Sequence, residues 1–302
     1  MNSPSFNIAA VERDTGLSKD VLRMWERRYG FPVPGRDSNG ERSYPPEQVE
    51  RLRLIKRLMD AGHRPGKLIA TPAEELSMLA PRRIAPGTAM RNAGASGELD
   101  KLLALIKQHD GSAYLQAMQR LLARQGLQRF VQDTVAPLTR HVGDGWEEGS
   151  LEVFEEHLFT ELTKRLLRQA ISTLPGGQRK PRIVLTSVPD EPHVLGLLMA
   201  EALLALEGAE CIPLGTRMPL LEIGRAAEAH QADIVALSFS TAFPQRRIPG
   251  LLQQLRVLLP ATSELWAGGG GVARVGKMDG VVLLPALDDA VRVLTGWRTA
   301  HS

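Results

Sequence analysis

The chain has 302 residues, 43% of them hydrophobic and 24% charged, which suits two or three soluble domains that each bury a core. Its single cysteine, Cys211, excludes an internal disulfide, and no basic stretch leading into an apolar run opens the chain, so a reducing, cytoplasmic setting is expected. The net charge of +3 is uneven: residues 1–70 hold 13 Lys/Arg against 9 Asp/Glu, so a polyanion partner is expected at that end.

In chain order, Asn7 can cap a short helix from Ile8 to Asp14, and Thr15-Gly16-Leu17 makes a turn. Ser18 can cap a second helix from Lys19 to Tyr29, on which Lys19, Arg23 and Arg27 share one face, with Arg28 beside them. Asn39-Gly40 is a hairpin signal between Arg36 and Arg42, so a basic wing is expected, followed by Tyr44. Pro45-Pro46-Glu47 opens a further helix carrying Arg51, Arg53, Lys56 and Arg57. The plain reading is a small helical domain with solvated cations. The order helix, turn, helix, wing, helix points instead to duplex DNA.

The string from Leu22 to Gly30, followed by Gly40-Glu41-Arg42-Ser43-Tyr44, resembles the MerR family of regulators. The resemblance covers about residues 6–70. It implies a winged helix-turn-helix that binds a pseudo-palindromic operator as a dimer. Arg23 and its neighbours would lie in the major groove, with Arg42 and Tyr44 on the DNA backbone. Trp25 reads equally as core or as contact. No sustained heptads occupy residues 71–97, so the coiled coil common in that family is not expected here.

The head is read as residues 5–75, and 76–97, rich in Pro and Gly, as a linker. Residues 98–175 are rich in Leu, Ala, Gln and Arg at helical spacing and read as a four-helix bundle. The apolar run Leu197 to Leu206, broken by Glu201, is too short to span a bilayer, and no membrane partner is expected. From residue 181 to 300, β-rich runs at Ile183–Val188, Glu210–Leu214, Ile234–Ser238, Glu264–Ala267 and Val281–Leu284 alternate with helices. That alternation predicts a flavodoxin-like or Rossmann-like parallel sheet, with any ligand outside the carboxyl ends of its strands.

Three clusters fall at such ends. Glu191-x-His193-x-x-Gly196 follows the first strand, Ser238-Phe239-Ser240-Thr241 the third, and Gly268-Gly269 opens a glycine run after the fourth. Singly, they read as a capping histidine, a capping serine pair and a tight loop. Together they resemble the cobalamin-binding domain shared by methionine synthase and methylmalonyl-CoA mutase. That resemblance implies that His193 binds cobalt from below, with Glu191 fixing its tautomer. Gly196 would let the helix approach. Ser238 with Ser240 or Thr241 would contact the nucleotide tail, and Gly268 and Gly269 would let backbone approach it. Phe239 puts a bulky ring inside the second motif.

In the bundle, Trp146, Glu156 and His157 have the spacing Trp-x9-Glu-His, with Val153 between. The plain reading is a core Trp and a surface Glu-His pair. The same spacing resembles the cap of CarH-type light-sensing repressors, which share this domain order. The resemblance implies that Trp146, Val153, Glu156 and His157 form a pocket for the upper ligand of a cobalamin, adenosylcobalamin being favoured. It also implies a homo-oligomer, dimer or tetramer, whose assembly sets operator affinity. Those photoreceptors carry a His directly after this Trp; here the residue is Glu147. Two other readings stand beside this one: a cobalamin-independent regulator using its C-terminal domains for oligomerisation, and a cobalamin-dependent enzyme. The latter has no catalytic barrel to work with.

Overall fold

The computed structural model describes residues 6–37, 40–60, 63–72, 75–76, 93–176 and 179–301, and divides into two compact units, Met1–Pro86 and Gly87–Ser302. Most of the expected linker and Asn39 of the expected wing turn lie outside the described residues.

In the first unit, β1 (Phe6–Asn7) leads into α1 (Ile8–Thr15), and α2 (Lys19–Tyr29) follows a tight turn. Asn7 and Ser18 cap the two helices as expected, accepting from the amides of Ala10 and Val21. Gly16 and Gly30 end them in the left-handed conformation, at φ 69° and 67°. Strands β2 (Gly35–Arg36) and β3 (Arg42–Tyr44) form the wing and pair antiparallel with β1 in the order β1-β3-β2. Helices α3 (Pro46–Asp60) and α4 (Pro65–Ala70) complete the unit.

The core of this head gathers Val11, Leu22, Trp25, Tyr44, Leu52 and Ile55. Trp25 is therefore core. Two of the cations expected as a basic face on α3 are structural ties. Arg53 makes paired 3.0 Å hydrogen bonds to Asp14, and Arg51 donates to the carbonyls of Ile69 and Thr71 while lying over the Phe31 ring.

The second unit opens with helices α5 (Ala93–Lys107), α6 (Gly111–Arg129), α7 (Ala136–Glu147) and α8 (Val153–Ser172), which pack together as the expected bundle. Gly126, at φ 73°, breaks α6 near its end, and a π-helical turn, Phe130–Val135, carries the chain into α7. Tyr114 is fully buried in the bundle, and its hydroxyl lies 2.8 Å from that of Thr163.

Five strands follow: β4 (Arg179–Thr186), β5 (Ala209–Gly215), β6 (Ile234–Ser238), β7 (Glu264–Gly268) and β8 (Val281–Leu284). They form a parallel sheet in the order β5-β4-β6-β7-β8. The intervening helices are α9 (Leu195–Leu206), α10 (Leu220–Ala229), α11 (Ile248–Leu258) and α12 (Leu287–Ala300). Two boundaries differ from the sequence reading. β4 already pairs with β5 at Arg179, ahead of the expected start at Ile183, and it ends at Thr186, because Ser187 is used to bind the next loop.

Helix α9 explains the apolar run at Leu197 to Leu206. Leu197 and Leu204 pack on the sheet with Ile183, Ile234 and Trp266. Leu195, Leu198, Met199, Ala202 and Leu203 pack into the bundle core with Phe130 and Phe159. A helix apolar all round is buried all round. Each such Leu contributes about 1.5–3 kcal/mol by burial, so α9 is the joint that makes bundle and sheet one unit. Among the described residues no helix is long and apolar enough to cross a membrane.

The Tyr114–Thr163 pair gives a direct check on the bundle. Tyr114→Phe strands a buried Thr163 hydroxyl, and thermal denaturation should show the C-terminal unit destabilised by about 1–2 kcal/mol.

Candidate functional site

The sheet order places its switch point beside β4, because the connection from β4 runs to one neighbour and the chain returns as β6 on the other side. The loops after β4 and β6 flank that point. Glu191 and His193 lie on the first and Ser240 on the second.

Glu191 is fully buried and its two carboxylate oxygens are fully engaged. Oε1 lies 2.6 Å from His193 Nδ1 and accepts the His193 backbone N–H at 3.0 Å. Oε2 accepts from the Ser240 backbone N–H at 2.8 Å and the Ser240 hydroxyl at 2.9 Å. Burial alone would raise the Glu191 pKa, but the hydrogen bond and charge of His193 and the two backbone donors outweigh it and hold the group below the usual carboxylate value. Glu191 is thus an anion that accepts the proton on His193 Nδ1. With the proton on Nδ1 turned to Glu191, Nε2 is the ring nitrogen left to act as a ligand, and the side chain is 51% exposed. A half-exposed imidazole with a fixed tautomer is a competent ligand for a metal. Among the described residues no group of three or more His, Cys, Asp or Glu could hold a metal ion.

Ser240, rather than Thr241, completes this cluster, and its hydroxyl donates to Glu191 and lies 3.0 Å from His193 Nδ1. Thr241 lies over Gly270, where an added Cβ would sit 2.6 Å from its methyl group. Ser238 faces Gly196: a Cβ there would sit 2.8 Å from the serine oxygen, so the missing side chain lets α9 close on β6 as expected. Phe239 is fully buried in the core beneath α10 and α11, so its bulk is turned away from the crevice. The glycines make room for neighbouring protein segments. Gly268 lies within the sheet, under the carbonyl of Leu284, and a Cβ on Gly269, at φ 97°, would lie 2.4 Å from the Phe239 carbonyl oxygen. The absent side chain of Gly269 lets the loop after β7 clamp the loop that carries Ser240.

The sequence reading missed Ser187. Its hydroxyl donates to the Glu191 carbonyl at 2.6 Å and accepts from the Arg217 N–H, while its own carbonyl accepts from Met218. It ties the loops after β4 and β5 together. A fully buried serine at a strand end was the available signal.

In the bundle, Trp146 is half-buried near the end of α7 and Val153 half-buried at the start of α8. Glu156 accepts from Thr160 at 2.8 Å and lies 2.9 Å from His157 Nδ1, which also reaches the Val153 carbonyl. His157 is exposed, and Val153, Glu156 and His157 form one local group. The side chain of Glu147 lies outside the described residues.

On the head, Arg27 and Arg28 are exposed, and Arg28 stacks over Tyr29. Arg23 is also exposed and Lys19 is half-buried, with long 3.5 and 3.6 Å approaches to Asp20 and Glu12 respectively. These four fit the expected cationic face. One of the two wing residues does not fit its expected role. Tyr44 is fully buried, since β3 alternation turns it into the core, and it cannot serve as a surface contact. Arg42 is held by Glu26, Nε to Oε2 at 2.8 Å.

The fold and these two sites define a class: a winged-helix DNA-binding head joined to a helical bundle and a flavodoxin-like sheet. A family model described as "MerR HTH family regulatory protein" matches residues 6–69, and one described as "B12 binding domain" matches 98–171. The chain is 32% identical to the HTH-type transcriptional repressor CarH of Myxococcus xanthus, over 89% of this chain and 90% of that one. It is 26% identical to the repressor CarA of the same organism, over 85% and 84% respectively. The monomethylamine corrinoid protein of Methanosarcina barkeri superposes with a TM-score of 0.54 at 15% identity, covering 66% of this chain and 97% of that one, and so shares the fold. The chain belongs to the CarH/CarA family of MerR-type transcriptional repressors.

The loop clamp is testable by stability. Gly269→Ala meets both an unfavourable φ and a backbone oxygen, and should destabilise the C-terminal unit by about 2–4 kcal/mol in chemical denaturation. Gly250→Ala on α11, which meets nothing within 4 Å, should change stability by no more than about 1 kcal/mol.

Proposed function

We propose that this chain is a cobalamin-dependent repressor of transcription, whose hold on duplex operator DNA is set by a cobalamin, in its adenosyl form, bound to the C-terminal unit. The observation that carries the proposal is the Glu191–His193–Ser240 cluster, which leaves one imidazole nitrogen with a free lone pair at the switch point of the sheet.

The residues present fit the group. When bound, the cobalamin would supply a cobalt centre able to accept a nitrogen ligand and to carry an organic group. His193 would give that nitrogen. Glu191 would hold the ring's tautomer and orientation and raise its basicity, and Ser240 would hold Glu191. Ser187 and Gly269 would keep the two loops in register. We assign Trp146, Val153, Glu156 and His157 to the cover over the upper ligand, with the remaining motif positions, Gly196, Ser238, Thr241 and Gly268, shaping the crevice wall.

The bundle and sheet share the α9 core, so a ligand touching both would favour one arrangement of that unit, and through it one oligomeric state. Two heads at fixed spacing would then engage a two-fold operator, with Lys19, Arg23, Arg27 and Arg28 presented to the DNA. Glu147 stands where the photoreceptors of this family carry a His. A carboxylate is a poorer partner than imidazole for the cobalt centre. We therefore assign the primary signal to cobalamin occupancy, and a light response to loss of the upper ligand alone.

The test is size-exclusion chromatography and DNA binding of the full chain, with and without adenosylcobalamin, in darkness and after illumination. Corrinoid should co-elute, and its addition should change both assembly size and DNA affinity. His193→Ala should abolish co-elution, and Glu191→Gln should weaken corrinoid affinity by about 10- to 100-fold. No co-elution with wild type, or wild-type behaviour from His193→Ala, would overturn the proposal and leave a cobalamin-independent regulator.

A further inference from the structure

The recognition helix carries two acidic residues, Asp20 in its first turn and Glu26 deeper in its cationic stretch. Glu26 lies between Arg23 and Arg27 on α2. An anion there repels phosphate and costs affinity unless it has other work. Its work is visible in the structure. Arg42 on the wing strand β3 donates from Nε to Glu26 Oε2 at 2.8 Å and from a terminal nitrogen to Oε1 at 3.4 Å. Both side chains are about three-quarters covered, at 27% and 29% exposure.

The pair does not stand alone. Two residues further along β3, Tyr44 enters the core on the same side of the strand. Arg36, opposite Arg42 in the β2–β3 register, donates to the Gly40 carbonyl and closes the wing from within. At the other end of the wing, Gln48 makes two 2.7 Å hydrogen bonds with the Val33 backbone, one in each direction. The wing is thus fixed to the head core by a buried ring, to α2 by a forked ion pair, and to α3 at its root. A forked Arg–carboxylate pair sets angle as well as distance.

We propose that Glu26 is a positioning residue that sets the wing at a fixed angle to the recognition helix, and that Arg42 serves this joint rather than a DNA phosphate. The inference rests on the reading of the head as DNA-binding. It assigns Glu26 and Arg42 to sequence discrimination, because a misplaced wing loses the register of specific contacts while leaving general attraction to phosphate intact.

The experiment uses the full-length chain and two probes. One is a duplex enriched by the wild-type protein from a random pool, and the other is a scrambled duplex of the same composition. Affinities are measured over a salt series at a temperature where circular dichroism shows wild type and variants equally folded. Glu26→Gln is isosteric and should weaken the enriched duplex by about tenfold, the size expected for one charge-assisted hydrogen bond. It should leave the scrambled duplex unchanged or tighter. Arg42→Lys keeps the charge and loses the fork, and should lower the ratio between the two duplexes similarly. Arg42→Gln should leave the salt slope as in wild type.

The joint is refuted if Glu26→Gln tightens both duplexes equally, the behaviour of a merely repulsive acid. It is refuted too if Arg42→Lys keeps the wild-type ratio while Arg42→Gln lowers the salt slope by about 0.9, the mark of a phosphate contact. Failure of the wild-type chain to enrich any duplex would instead remove the DNA-binding reading itself.

Discussion

A buried carboxylate holds this molecule's C-terminal site together. Glu191 takes four hydrogen bonds from two loops that are 49 residues apart, and no oxygen lone pair is left for water. Burying an ion is costly unless every partner is present. The anion therefore fixes the tautomer of His193 and the position of Ser240 at once. It draws the loops after β4 and β6 to the same point, and that point is the switch of the sheet. The glycines after β7 and the buried Ser187 support the arrangement from either side.

The second constraint is α9. It begins two residues after His193 and packs on the sheet with one face and into the bundle with the other. Any shift of the loop bearing the imidazole is therefore felt by the helix that organises both layers. That gives the proposed ligand a mechanical route into the bundle without a separate relay. The head is a compact unit of its own, built on the same economy: Tyr44 and the Arg42–Glu26 pair fix the wing to the helix it accompanies.

Much of this was legible in the sequence. Alternating strands and helices gave the parallel sheet, and Asn7, Ser18, Gly16 and Gly30 marked the helix ends of the head. Glu191 and His193 stood out because they are two residues apart and act locally. The grip of Ser240 on Glu191 was hidden, since it forms only after the sheet closes. The protein neighbours of the glycines after β7 were hidden too, because they come from distant segments that no local pattern reveals. Tyr44 looked like a contact because it follows an arginine on a wing; strand alternation and the core beneath decide otherwise. Arg51 and Arg53 looked like solvated cations until α4 and Asp14 supplied their partners.

The central claim is that the Nε2 of His193 becomes the lower ligand of cobalt. Electron paramagnetic resonance of the chain loaded with cob(II)alamin tests it directly, using protein labelled with nitrogen-15 only at histidine. The account predicts that the nitrogen splitting changes from triplet to doublet on labelling and that the doublet is absent in His193→Ala. A triplet that persists in the labelled protein would place the cofactor's own base on the metal and contradict the account.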